Sequence, residues 1–310
     1  MEEGMSFMGG KFIKTNRFSF SSKGRVIFTT LIVLVSFIQL TAQEGTPSED
    51  ESKLVSILDH SKEYCQRLGK AALDYVCLES ISEKFKDTIY YVERAGTLLN
   101  RSVEREIWKK NTFVYDYQFI RKNNRLTEKR ILIEEDGRKT DQEETRLKTE
   151  TFSYKNVMFG PINILDVDRQ SLFDYSLMGS EKVLGESALI IQAKPKPEVE
   201  TGTPWGRVWV NERFYTILKI EWSQETMSRT QVIKNRAKKM KGRPKITQTT
   251  EFGFEKNGIR FPSRFTIEEA YIKKNGKKVI TAELHVNYKE YRFFTVETDI
   301  KYNNKNSGCF

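Results

Sequence analysis

The chain carries two histidines, His60 and His285. Neither has a second ligand at His-x-x-x-His or Cys-x-x-Cys spacing, so no transition-metal signature is present. Carboxylates are plentiful, in the runs Glu134-Glu135-Asp136, Glu143-Glu144 and Glu268-Glu269. Neighbouring residues of a strand point to opposite faces, which makes such runs solvated edges rather than acid/base pairs. A Gly-x-Ser-x-Gly elbow, a phosphate-cradling glycine loop and a cysteine–histidine pattern are all missing from the sequence. The expectation is a protein that is not an enzyme and uses no cofactor or metal.

Of the three cysteines, Cys309 stands next to the last residue, while Cys65 and Cys77 fall at the end of one element and the start of the next. They form either a disulfide, which export permits, or two small buried thiols.

What remains for function is aromatic and basic. Trp205 and Trp209 share one parity of a strand, and Tyr215 and Ile217 share one parity of the strand after it. With Tyr117, Phe119, Trp222 and Phe252 they make a wide apolar face that must be covered, by a core or by a lipid. These eight residues are the expected lining of a lipid cavity. A second group, Arg229, Lys234, Arg236, Lys238, Lys239, Lys241 and Arg243, follows Glu225 with no intervening acid. It reads as a solvated helix over a sheet or as a contact for an anionic membrane surface or a partner. Aromatics interleave poorly with these charges, which speaks against nucleic acid.

The elements that position these residues are mostly strands. The chain has 310 residues, 38% hydrophobic and 12% aromatic, enough to bury a real core. Residues 1–25 are basic, and Val26–Leu40 then runs without a charge to Thr41-Ala42-Gln43. That order is the one of a secretory signal peptide cleaved near Ala42 or Gln43, the alternative being a retained anchor. A run of about 15 apolar residues falls short of the roughly 20 that span a bilayer. Residues 1–42 hold five of the 52 basic and two of the 42 acidic residues, leaving a formal charge of +7 beyond them. The expected location is the periplasm or outer membrane of a Gram-negative-type cell.

Residues 43–50 read as a linker, 51–302 as one β domain, expected to be a monomer, and residues 303–310 as a tail. Leu54, Ile57, Leu58, Tyr64, Cys65 and Leu68 recur at helical spacing. From Tyr75 the period switches to two. Residues 86–111 mix charges with apolar side chains and read as loop or broken strand. Asn123-Asn124, Asp136-Gly137, Asn257-Gly258 and Asn275-Gly276 mark turns between strands. Pro161 after Gly160 starts a short apolar helix, expected to lie as a plug or lid over the sheet. Pro204–Trp222 reads as a hairpin folded about Asn211-Glu212, and Lys277–Tyr288 and Tyr291–Tyr302 as the last two strands. No strand–helix–parallel-strand rhythm occurs, so the fold class is mainly β (α+β): about eleven antiparallel strands, an N-terminal helix and short lid helices.

The segment Gly206-Arg-Val-Trp-Val-Asn211, followed by Ile217-Leu-Lys-Ile-Glu221, resembles the mid-sheet hairpin of the outer-membrane lipoprotein-sorting and lipoprotein-carrier (LolA/LolB-like) family. The resemblance implies a strongly curved, incomplete β-barrel whose concave face is lidded by helices and accepts lipid or the acyl chains of lipoproteins. The stretches 86–111 and 139–170 have no counterpart in that pattern.

Overall fold

A computed structural model of the chain describes residues 49–70, 74–95, 99–122, 125–199, 203–226 and 231–294. The expected signal peptide, the Asn123-Asn124 turn, the tail, Cys309 and Arg229 lie outside the described residues, as does most of the expected linker.

Helix α1, Glu49–Lys70, opens on Glu49, Asp50 and Glu51 and closes on Arg67 and Lys70, charges that complement the helix dipole at both ends. Its buried side chains, Ile57, Ser61, Tyr64, Cys65 and Leu68, form the expected stripe. The strands are β1 (Asp74–Ala95), β2 (Leu99–Lys122), β3 (Arg125–Glu135), β4 (Arg138–Glu144), β5 (Phe173–Val183), β6 (Glu186–Pro195) and β7 (Gly206–Asn211). They continue with β8 (Ile217–Trp222), β9 (Gly242–Glu251), β10 (Phe254–Lys256), β11 (Ile259–Phe261), β12 (Arg264–Lys273) and β13 (Lys278–Phe294). Short helices α2 (Gly160–Leu165) and α3 (Val167–Gln170) precede β5, and α4 (Gln231–Met240) precedes β9.

Eleven strands form one antiparallel sheet in the order β4-β3-β2-β1-β13-β12-β9-β8-β7-β6-β5, with β10 and β11 as a separate small hairpin. The sheet is not closed: β4 and β5 are its two edges. Since they are consecutive in sequence, the connection between them, residues 145–172, has to cross from one edge to the other. A single buried cluster takes side chains from strands on both sides of β13, among them Phe119, Leu132, Ile191, Val210 and Phe265, together with Leu68 of α1 and Ile164 and Leu165 of α2. The helices therefore cover the inner face of the curved sheet. The architecture is the expected incomplete barrel.

Two boundaries differ from expectation. Residues 86–95 and 99–111 are strand, β1 pairing with β2 in unbroken register from Tyr75↔Phe119 to Ala95↔Leu99. Beyond Phe85↔Ala282, β13 no longer pairs with β1, so this part is a two-stranded ribbon. At residues 86–90 and 102–111 both faces meet solvent, and the ladder carries cross-strand ion pairs such as Lys109–Asp87 at 2.5 Å. Charges on both parities hide the period of two. The second difference is at the end, where Lys278–Phe294 is one strand rather than the beginning of two. Glu290, with φ 57, and a register slip opposite Val76 and Leu78 absorb the break in the pattern.

Candidate functional site

The crossing segment is the cover of the inner face. Its first part, residues 145–156, runs without helix or strand and is tied to β1, β2 and β3 by buried polar groups. Glu83 accepts the backbone N–H groups of Glu150 (2.9 Å) and Thr151 (2.7 Å). Glu79, fully buried, accepts Arg130 Nε at 2.6 Å and Nη2 at 3.1 Å, and the Tyr154 hydroxyl at 3.0 Å. Glu128 accepts the Tyr117 hydroxyl at 2.6 Å and the Asn156 N–H at 2.5 Å.

Charge-assisted bonds of this kind are the strong class, and here they are the reason an otherwise irregular strap keeps one course. Burial works against the charge on Arg130, but the adjacent Glu79 carboxylate more than offsets it and the guanidinium is held above its ordinary pKa. Burial, reinforced by Glu79, also holds the Tyr154 and Tyr288 hydroxyls well above theirs. The signal for this cluster was present in the sequence: Glu79 and Glu83 share the parity of Tyr75, Cys77 and Ile81, an apolar face on which a carboxylate needs a partner.

The second part of the crossing, α2, packs Ile164 and Leu165 into the core. Pro161 occupies its first turn, as expected. The Tyr175 hydroxyl donates to Ile164 O, and Gln170 donates to Leu58 O and Leu165 O, both at 2.9 Å, tying α2 and α3 to α1 and β5. At its start, a Cβ on Gly160 would lie 3.1 Å from Ile220 and 3.3 Å from Trp222, so the helix sits directly on β8.

Two clefts flank this contact and share Trp222 as a wall. One, of about 350 Å³, lies between the strap and the sheet, lined by Tyr154, Val157, Gly160, Pro204, Gln248 and Phe265 among others. The other, of about 580 Å³, is lined by Trp205, Arg207, Glu221, Gln224, Arg243 and Ile246 among others. It occupies a fork in the sheet. Strand β8 pairs with β9 only from Lys219↔Glu251 to Trp222↔Gln248, whereas β9 pairs with β12 as far as Lys273↔Gly242. On the open side Ile246 N–H donates to the Gln224 side chain at 3.2 Å. Pro244, two residues along and facing the same way, has no N–H to offer, which blunts the exposed edge against further strand pairing.

The eight expected lipid-lining residues are divided by the fold. Tyr117, Phe119, Ile217 and Phe252 are buried in the main core. Trp205 and Trp222 are partly exposed at the clefts. Tyr215 lies in the turn after β7 and stacks on His60 of α1, ring centroids 4.1 Å apart.

Trp209 is on the outer face, in a small cluster with Ala188 and Leu218, its indole under Lys219 Nζ at 4.0 Å. The parity argument that grouped it with Trp205 and Ile217 fails because Gly206, not Trp205, starts the strand, and because a bulge at Trp209/Val210 changes the parity of β8. A Cβ on Gly206 would stand 2.1 Å from Glu221 O, so only glycine allows that close approach. The turn is also wider than Asn211-Glu212: Asn211 ends β7 and its side chain accepts Arg213 N–H (2.9 Å) and Phe214 N–H (2.7 Å).

Of the two alternatives for the cysteines, the structure has the buried thiols. Cys65 and Cys77 are free and buried, and burial pushes both thiols well above their ordinary pKa, the inert form of a structural cysteine. The basic group also divides. Arg236 bonds the buried Glu269 at 2.8 and 3.0 Å and Lys239 bonds Glu104 at 2.5 Å, anchoring α4, while Lys234, Lys238, Lys241 and Arg243 are exposed. Among the described residues no group of three or more His, Cys, Asp or Glu is placed to hold a metal ion, and no helix is long and apolar enough to cross a membrane.

The sequence matches no family profile and no curated protein. Several solved structures are similar in fold. A DUF1329 family protein from Desulfovibrio piger is 13% identical, with 79% of this chain and 94% of that one covered at a TM-score of 0.31. A putative outer membrane lipoprotein-sorting protein domain from Vibrio parahaemolyticus is 11% identical, with the same coverage and a TM-score of 0.32. A LolA superfamily protein from Nitrosomonas europaea is 12% identical, covering 77% of this chain and 94% of that one at a TM-score of 0.29. These likenesses concern the fold alone and assign no residue a role.

Proposed function

We propose that this chain is a non-catalytic, exported envelope protein that binds a lipid, or the acyl chains of a lipoprotein, on the inner face of its sheet, and that the structure is its closed form. The observation that carries the proposal is the nature of the cover. The apolar inner face is closed by a crossing segment of strap and short helices, and two clefts converge on Trp222 where that segment meets β8. Volumes of about 350 and 580 Å³ are in the range of small-molecule sites, and in linings that mix polar and apolar side chains Trp205, Trp222, Ile246, Val157 and Phe265 supply the apolar surface an acyl chain would contact. Export rests on the basic and then apolar N-terminal stretch, and the protein acts as a monomer.

The test is to extract the purified protein and identify bound lipid by mass spectrometry, with displacement of a fluorescent fatty acid beside it. Acyl chains in the extract and saturable uptake are expected. A folded, lipid-free protein that takes up no fatty acid overturns the proposal. The same result would favour the second reading, an envelope protein with a dry core that binds a partner. That reading is favoured by the completeness of the packing, in which Ile57, Leu68, Ile164, Leu165 and Phe252 are each 2% exposed or less.

A further inference from the structure

Five cations of the described surface, Lys238 and Lys241 at the end of α4, Arg243 of β9, Lys273 at the end of β12 and Lys274 after it, surround one shallow groove of about 600 Å³. All five are exposed. No acid among the described residues lines the groove, and acids on the neighbouring elements are engaged by other bases: Glu268 by Lys278 (2.7 Å), Glu269 by Arg236 (2.8 Å) and Glu104 by Lys239 (2.5 Å). None of the five forms a salt bridge with a described residue, so their charge is directed at solvent.

The grouping is built by close packing, not by sequence neighbourhood. A Cβ on Gly242 would meet Ile272 O at 3.1 Å and Tyr271 Cβ at 3.2 Å, so the chain leaving α4 lies tightly on β12. Lys241, with φ 49, makes the turn that brings Arg243 beside the β12–β13 connection. The helix dipole accounts for basic residues in the last turn of α4, Lys238 and Lys239, but not for Arg243, Lys273 and Lys274. The other residues of the groove are Ala237, Gly242 and Ile272, with no aromatic ring on which a base could stack.

We infer that this end of the molecule docks on an anionic phospholipid surface, the five cations taking lipid phosphates around the aliphatic floor. A cluster of exposed lysine and arginine gains about 1 kcal/mol per residue near such a surface, a factor of about five in partitioning for each. The position has a consequence. Arg243 and Ile272 also line the fork cleft, which in turn shares Trp222 with the cleft beneath the strap. Docking therefore sets the mouth of the inner face against the bilayer. The docking itself stands whether or not the inner face takes an acyl chain.

The test is sedimentation of the full chain with vesicles of phosphatidylcholine alone and with phosphatidylglycerol admixed, at low and high salt. Two variants of equal net charge are compared: K238Q/K241Q/K273Q/K274Q in the groove, and K53Q/K70Q/K182Q/K194Q on α1, β5 and β6. Binding that needs phosphatidylglycerol, weakens with salt and falls a hundredfold or more in the groove variant alone is expected. Equal losses in both variants, equal binding to phosphatidylcholine, or groove-dependent binding to a soluble polyanion such as heparin with none to vesicles each overturns it. Thermal melts of both variants exclude misfolding as the cause. Lipid extraction reads the acyl-chain proposal separately, so either can fail without the other.

Discussion

Around Glu79 the crossing segment is tied down by charge, whereas around Trp222 it rests on apolar side chains beside open clefts. In the first region Glu79, Glu83 and Glu128 bond the strap's backbone, Arg130 and two tyrosine hydroxyls, Glu79 and Glu83 being fully buried. In the second, Gly160 touches Ile220, Trp222 and Phe252, and the sheet itself parts between β8 and β9. On the proposed function, a cover fixed at one side and resting on apolar surface at the other would open at the second side, because breaking a buried charged contact costs more than exchanging one apolar neighbour for another.

The largest expected effect is alkaline. Burial, reinforced by nearby acidic groups, holds Tyr75, Tyr117 and Tyr288 in the first region well above their ordinary pKa. The unfolded chain releases these protons from about pH 10 while the folded chain keeps them. Stability is thus fully present below about pH 10 and is lost as the pH rises beyond it, by roughly 1.4 kcal/mol per pH unit for each tyrosine. Denaturant midpoints measured across that range give the slope, and Tyr288→Phe should flatten it; an unchanged slope would remove tyrosine burial as its cause.

Glu79→Ala comes next. It leaves Arg130 buried without its partner and should cost about 3–5 kcal/mol in urea unfolding, while the apolar pair Glu79→Leu with Arg130→Met recovers most of that loss. A mild effect of the single change would mean that water reaches the site, and the contrast between the regions would vanish.

Glu83→Gln is smaller, about 1–3 kcal/mol, through the two strap N–H groups it weakens. Hydrogen exchange at Glu150 and Thr151 should quicken with no change in β8. Trp222→Ala should cost least in stability, about 0.5–1 kcal/mol for a partly exposed wall, yet reduce fatty-acid uptake about tenfold. Uptake that survives Trp222→Ala but is lost in Glu83→Gln would place the opening at the tied side instead.

Much of the fold was legible because it is written in local patterns. The stripe of α1, the Asn-Gly turn at Asn257-Gly258, Pro161 at the head of α2 and the alternation of β1 through Glu83 each depend on residues a few positions apart. The ribbon of residues 86–95 and 99–111 was not legible, since a strand wet on both faces shows no period. The grouping of Trp209 with Trp205 and Ile217 was misread because the strand starts at Gly206 and the bulge opposite Trp209 and Val210 shifts the parity of β8, and a bulge depends on the partner strand.

The sequence by itself determined the class of the fold, an antiparallel β protein with an N-terminal helix, and the apolar and basic residue types available to it. Only the tertiary structure decided which of these meet. Glu79 is 51 residues from Arg130 and Tyr154 lies 75 residues beyond it, and Arg243 meets Lys273 and Lys274 only through the pairing of β9 with β12. Separation in sequence carries no information about such encounters, because the order of strands in the sheet, with β4 and β5 at opposite edges, is what brings the crossing segment over the inner face and these side chains within reach.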